Sequence, residues 1–400
     1  MARLNRALLS GSLILLVTLN IYNFFSFIFH FAMARLLSPA DYGILATLFS
    51  IIYITGIFSE SIQTIIAKYA ATEQNNAKLH NIVSRAIKKS LKISSLIFIG
   101  YVFISIPLSF ALKIPYLLLT STGLMIFAAF LPPITRGALQ GIKSFKSLGI
   151  NFIIEAIIKL SLSIALVMIG WKVYGAIAAA VLAAVIAFLL SIYALKNIFK
   201  SGNKPAHTGN IYVYSRPIFF VLFTLSVFYS FDVIIAKMVF PADTAGFYAI
   251  ASILAKTIFF GTQPISKAMF PISAGEKKGK KNNLLASALA ITLICIFIAL
   301  IVFYFFPEIM IRIFSGRYIQ ESAGILIYIA IAISLISLSN LILLYKLSIG
   351  RVKNYSILAI FPAIEVGLLF FFSSNLVEFS IAFITASAIF LWGSVLLFNK

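Results

Sequence analysis

The stretch Ala34-Arg35-Leu36-Leu37-Ser38-Pro39-Ala40-Asp41, with Gly43 following, closes the first apolar run of the chain and opens the second. About 200 residues later, Ala236-Lys237-Met238-Val239-Phe240-Pro241-Ala242-Asp243, with Gly246 following, does the same for another pair of runs. Gln63 and Gln263 recur further along, and both of those segments then enter a lysine-rich loop. An internal repeat on this scale in a membrane chain predicts a two-lobed transporter with its substrate path between the repeats.

Membrane character follows from composition. Hydrophobic residues make up 62% of the chain and charged residues 11%, and mean hydropathy is +1.06. Soluble domains carry roughly 25% charged residues. About twelve apolar segments approach the ~20 residues that a bilayer core requires. They fall at about 8–33, 42–66, 90–112, 115–139, 148–170, 172–197, 212–240, 245–271, 284–306, 321–348, 355–373 and 376–398. The fold expected is all-α and integral to the membrane, with two six-helix repeats. An N-terminal lobe spans 1–198, a polar connector containing Ser201-Gly202-Asn203-Lys204-Pro205 spans 199–211, and a C-terminal lobe spans 212–400. With an even number of helices per lobe, the repeats are related by an axis along the membrane normal. Arg3, Arg6 and Ala32-Met33-Ala34 give the first segment a signal-peptide look. It is too long for a signal core of about 7–15 residues, and it pairs with segment seven, so a retained helix is expected.

Charge sets orientation. With the N-terminus in the cytoplasm, the inner loops collect clusters such as Lys78, Arg85, Lys88, Lys89, Lys92 and Lys277, Lys278, Lys280, Lys281. The outer side keeps only Arg35, Lys113, Lys172, Lys237, Arg312 and Arg317. A bias of roughly four to one obeys the positive-inside rule and places both termini in the cytoplasm of a plasma-membrane protein. The same rule explains the net charge of +21 without nucleic acid, because short topological anchors make no separate basic fold. Lys78 to Lys92 reads as amphipathic, and is expected to lie along the inner leaflet with its lysines on anionic headgroups. One cysteine, Cys295, allows neither a disulfide nor a thiolate metal site, and His30, His80 and His207 are too dispersed to bind metal together. Gly275 to Lys281 has too few residues between its glycines for a phosphate-binding loop. No cofactor and no enzymatic activity are expected.

Ala34 to Gly43 resembles the opening of the Wzx-like polysaccharide biosynthesis flippases. These belong to the multidrug/oligosaccharidyl-lipid/polysaccharide exporter superfamily. Phe314-Ser315-Gly316-Arg317-Tyr318 and Ile349-Gly350-Arg351 are also similar to that family. The resemblance implies two lobes around a central V-shaped cavity lined by helices one, two, seven and eight. It also implies alternating access and a lipid-linked oligosaccharide or polysaccharide precursor as cargo, moved from the cytoplasmic to the outer leaflet.

Ionisable groups inside spanning segments are costly, and each is therefore a functional candidate. They are Glu60, Glu155, Lys159, Asp232, Lys256 and Glu365, with His30 as a titratable neighbour. Ser252, Lys256, Gln263 and Lys267 share one stripe of segment eight, and Thr55, Ser59 and Gln63 form the matching stripe of segment two. Lys256 has no acid within a helical turn, so its partner comes from another helix or from cargo. Glu155 and Lys159 have the spacing of a helical ion pair. Asp232 reads either as a coupling site or as a structural group, in a salt bridge to Lys237 or a hydrogen bond across the lobe interface. An isolated membrane glutamate such as Glu365 has a further option, protonation.

These residues define an anionic-cargo transporter. Lys256, assisted by Lys159 and Arg35, would meet the phosphate, while Asn23, Gln63 and Gln263 would meet the saccharide. Asp232, His30 and Glu60 would carry a proton or sodium ion. The alternative is a cation-coupled multidrug exporter of the same superfamily, which would use the acidic groups to hold its cargo. A major-facilitator transporter is disfavoured because the Lys68–Lys92 loop lacks a Gly-x-x-x-Asp-Arg element. A membrane polymerase would need a large exterior loop.

Overall fold

A computed structural model describes residues 2–206, 216–275, 281–350 and 355–396. His207, most of the lysine-rich loop after Gly275, Arg351 and Lys400 lie outside the described residues. What is described is helical, with no strand.

The N-terminal half runs through α1 (Ala2–Leu36), α2 (Pro39–Thr72), α3 (Asn76–Leu112), α4 (Tyr116–Thr122), α5 (Met125–Phe130), α6 (Pro132–Gly141), α7 (Phe145–Leu166), α8 (Lys172–Ala194) and α9 (Lys196–Lys200). The C-terminal half continues with α10 (Arg216–Val239), α11 (Ala242–Ala255), α12 (Thr257–Gly275), α13 (Lys281–Phe305), α14 (Pro307–Ser315), α15 (Gln320–Ser348), α16 (Ile360–Phe371) and α17 (Leu376–Leu396). Among the described residues, 10 helical runs are long and apolar enough to cross a membrane, and Tyr355–Phe371 is a shorter apolar one. One run, Phe145–Ala194, has 50 residues. At ~1.5 Å per residue it would reach about 75 Å, more than two bilayer cores. It reverses instead at Gly170 (φ 101°) and Lys172 (φ 46°), and α7 packs back on α8. The alanines of α8 at 176, 179, 180, 183, 184 and 187 are buried, and small side chains let two such helices approach closely. Dividing that run and adding Tyr355–Phe371 yields the twelve segments expected.

The chain forms two compact units. Unit 1 comprises Met1–Leu36 and Thr55–Tyr214; unit 2 comprises Leu37–Ile54 and Ser215–Lys400. The first half of α2 thus packs with the C-terminal helices. Its start is well specified. Pro39 fits the first helical position, and the Ser38 hydroxyl accepts the Asp41 N–H at 3.1 Å. The Ser38 side chain therefore caps α2, and Asp41 supplies first-turn negative charge.

In unit 1, α3 is one continuous helix of 37 residues. Asn75 caps it, its side chain accepting from the N–H groups of Ala77 and Lys78. The stretch expected to float on the inner leaflet is the first part of this helix. Its apolar face is spent on protein, since Leu79 and Val83 join a buried cluster with Ile66, Ala138, Leu139, Leu148 and Ile198. Lys78, Arg85, Lys88, Lys89 and Lys92 remain on the exposed side. The same end of α3 holds the connector. His80 Nδ1 lies 2.5 Å from the Gly202 carbonyl, Asn81 donates to Asn203, and the Lys204 N–H donates to Ala77.

In unit 2, α15 is the central element, packed against α11, α12, α13 and α17. Lys346 near its end donates to the carbonyls of Ser394 (2.9 Å) and Val395 (2.6 Å), capping the C-terminal turn of α17 where a cation is favoured.

Candidate functional site

Unit 2 contains a buried charged cluster. Asp232 on α10 is 0% exposed, and Lys256, at the joint between α11 and α12, is 1% exposed. Lys256 Nζ donates to Asp232 Oδ1 at 2.8 Å. The other carboxylate oxygen accepts from Ser252 Oγ at 2.6 Å and Tyr248 Oη at 3.4 Å. Tyr248, Ser252 and Lys256 recur every four residues, so a single helical stripe supplies all three donors. The ammonium also sits 4.6 Å from the ring of Tyr229, which packs against Tyr53 of α2 at 4.9 Å. Glu365 on α16 is 0% exposed and interacts electrostatically with both Asp232 and Lys256. The partner of Lys256 thus comes from another helix, and Asp232 bonds to Lys256 rather than to Lys237. The expected polar stripe grades along its length, with Ser252 and Lys256 buried, Gln263 half-buried and Lys267 exposed.

Unit 1 has its own cluster, and there the expected Glu155–Lys159 pair is corrected. Glu155 is bonded instead to Arg136 of α6. Arg136 Nε also donates to Asn151 Oδ1 at 2.8 Å, and its guanidinium stacks 4.2 Å over Phe152. An i,i+4 lysine offers a few tenths of a kcal/mol, which a planar, multiply bonded guanidinium outweighs. Lys159 turns to α1. Its ammonium lies 3.4 Å from Ser26 Oγ, 5.0 Å from the Phe29 ring and 5.8 Å from the Tyr22 ring. Among the described residues, no carboxylate lies within 4 Å of it.

The other candidates of unit 1 are dispersed. Asn23, Arg35 and Glu60 are exposed, and the Arg35 guanidinium sits 4.3 Å over Phe31. Gln63 donates to Gln140 at 2.9 Å, and His30 is half-buried edge-on to Phe29. Three functional candidates were missed in the sequence: Arg136, Tyr229 and Tyr248. Extending the Ser252–Lys256 stripe by one turn would have reached Tyr248. Arg136 follows Pro132-Pro133 at the end of an apolar run, and no local spacing connects it to Asn151 or Glu155 of α7.

The repeated motif has a structural location in unit 2. Gly43 and Gly246 face each other, and a Cβ on Gly43 would lie 2.9 Å from the Gly246 Cα. A Cβ on Gly246 would collide with the Pro39 carbonyl oxygen. The two copies of the motif thus meet at a close helix crossing. Arg317 anchors it, donating to the Leu37 carbonyl at 2.8 Å.

Comparison with known proteins agrees with this arrangement. An inward-facing multidrug resistance MATE family transporter of the MOP superfamily superposes with a TM-score of 0.74 at 15% identity, covering 95% of this chain and 97% of its own. The lipid II flippase MurJ in an inward closed conformation superposes with a TM-score of 0.73 at 15% identity, covering 97% and 88%. These likenesses establish the fold, a twelve-helix, two-repeat architecture. In sequence, an uncharacterized membrane protein of Methanocaldococcus jannaschii is 26% identical over 358 residues, 83% of each chain. The polysaccharide biosynthesis protein family matches residues 32–324, which is most of the chain, and it is to this family that the protein belongs.

Proposed function

We propose that the protein is a flippase that moves a lipid-linked oligosaccharide or polysaccharide precursor from the cytoplasmic to the outer leaflet of the plasma membrane by alternating access, driven by a proton or sodium ion. The observation that carries this reading is the unmatched ammonium of Lys159. A lysine held among Ser26, Tyr22 and Phe29, with its helical neighbour Glu155 bonded to Arg136, has positive charge to offer a phosphate. Attraction to a phosphate strengthens in the low dielectric of such a site. Lys256, bonded to Asp232, holds its charge in reserve. Lys159 therefore takes the leading phosphate-binding role, with Arg35 at the end of α1 and the amides of Asn23, Gln63 and Gln263 for saccharide hydroxyls. Coupling belongs to the neighbourhood of Asp232, with His30 and Glu60 as the acid–base groups of unit 1.

The test is binding and translocation of a pyrophosphate-linked oligosaccharide in proteoliposomes. Lys159→Met should weaken binding about tenfold or more, the factor that ~1.4 kcal/mol of lost attraction produces. Lys159→Arg should retain part, because charge persists while geometry changes. Unchanged binding by the Met variant at matched expression would remove the central residue. Export of an organic cation, undiminished or improved in that variant, would instead select the multidrug-exporter reading.

A further inference from the structure

Asp232 has little capacity left for a mobile cation. One oxygen holds the Lys256 ammonium, and the other accepts two hydroxyls, from Ser252 and Tyr248. Glu365 is the opposite case. It is 0% exposed, and neither carboxyl oxygen has a hydrogen-bond partner. It is nevertheless within electrostatic reach of Asp232 on α10, and of Lys256 and Tyr248 beside it. Those are the titratable groups facing it from α10 and from α11 with its joint. The neighbouring α17 presents buried serines, and its Glu378 is exposed and bonded to Asn375.

A buried carboxyl without donors cannot remain ionised at low cost, because desolvation weighs far more on a carboxylate than on the neutral acid. With Asp232 and Lys256 cancelling each other, a proton on Glu365 makes the cluster neutral. We propose that Glu365 is the proton-exchanging group of unit 2, and that its release of a proton makes it compete with Asp232 for the Lys256 ammonium. The Glu365 O–H bond breaks, the proton passes to water, and the resulting carboxylate becomes a second anion beside one cation. Lys256 lies at the joint between α11 and α12, so a change in its partner acts directly on a helix junction. The coupling ion is then a proton rather than sodium, since the resident ammonium already occupies Asp232. This proposal rests on the ion-coupled transport reading and specifies its coupling group.

The experiment is infrared difference spectroscopy of the full-length protein in proteoliposomes, comparing acid with alkaline buffer. The readout is the stretching band of a protonated carboxyl. Wild-type protein should show such a band at low pH and lose it at high pH, and Glu365→Gln should lack it. Asp232→Asn should lack it too, because the released ammonium now holds Glu365 as a carboxylate. If Glu365→Gln fails to fold, wild-type protein grown with carboxyl-labelled glutamate replaces it, and the band should shift with the label. Identical spectra for wild type and Glu365→Gln, no label-sensitive band, or an undiminished band in Asp232→Asn would overturn the proposal. The same vesicles report translocation of the pyrophosphate-linked oligosaccharide. A Glu365 band without translocation counts against the flippase reading alone, and translocation without the band counts against the proton site alone.

Discussion

Removing Lys256 from its pair with Asp232 leaves an uncompensated carboxylate in a site where the two side chains are 1% and 0% exposed. Such a loss costs about 3–5 kcal/mol, whereas replacing a whole buried pair with neutral side chains of similar volume is close to neutral. The two singles should differ. In Lys256→Met the carboxylate retains the Ser252 and Tyr248 hydroxyls, so the loss should fall near ~3 kcal/mol. In Asp232→Asn the ammonium keeps the Tyr229 face and takes Glu365 as its carboxylate, so the loss should fall below that range. The double variant Asp232→Asn/Lys256→Met carries no buried charge at the pair and should lose less than about 2 kcal/mol, making it more stable than Lys256→Met. Denaturant unfolding of the purified protein in detergent, read by tyrosine and tryptophan fluorescence, measures all four corners of the cycle. A double variant whose loss equals the sum of the singles would show that the two groups do not depend on each other. A Lys256→Met variant of wild-type stability would show that the carboxylate is solvated in the membrane-embedded protein, and the argument for a closed ion pair would fail.

Two further outcomes test the architecture. Gly246→Ala should cost about 1–3 kcal/mol in the same unfolding assay, because its methyl would strike the Pro39 carbonyl oxygen and force α2 away. Gly261→Ala, which meets nothing within 4 Å, should leave stability unchanged or slightly raised, so equal effects at both positions would refute the close crossing. In a Cys295→Ala background, cysteines at 80 and 203 should be labelled from the cytoplasm and those at 243 and 316 from outside, and exterior labelling at 203 would overturn the six-plus-six topology.

Features that depend on neighbours in the chain were legible in the sequence. Twelve apolar segments and the reversal beside Gly170 follow from segment length and glycine conformation, whereas the segment expected from 42 begins at Pro39 behind the Ser38 cap. Contacts between helices were not legible in the same way. Asp232 and Lys256 are 24 residues apart and on different helices, and no local spacing pairs them. Glu155 had a local answer in Lys159, and tertiary packing replaced it with Arg136 from α6. The Lys78–Lys92 periodicity predicts a two-faced helix, and the first part of α3 is one. Its apolar face went to the wrong solvent, because periodicity says that a face is buried and not whether lipid or protein buries it. Even the repeated motif gave its location and not its role. What the copies share is room for a backbone crossing at Gly43 and Gly246, which becomes visible only when both helices are in place.

The two units treat the same chemical problem differently, and that difference limits where transport chemistry can reside. Each places a lysine against aromatic rings, Lys159 beside Phe29 and Tyr22, and Lys256 beside Tyr229. Each also carries a carboxyl in its fifth segment, Glu155 in one and Glu365 in the other. In unit 1 an additional cation, Arg136, takes the carboxylate and leaves the lysine unmatched. In unit 2 an additional anion, Asp232, takes the lysine and leaves the carboxyl unmatched. A surplus cation suits an anionic cargo, and a surplus carboxyl suits a proton. If both groups served packing alone, selection for stability would favour neutral residues at the unmatched positions, since each unmatched group costs energy that the folded state must offset. The two groups are unmatched in opposite senses, one per repeat, which fits the proposed coupling of an anionic cargo to a proton.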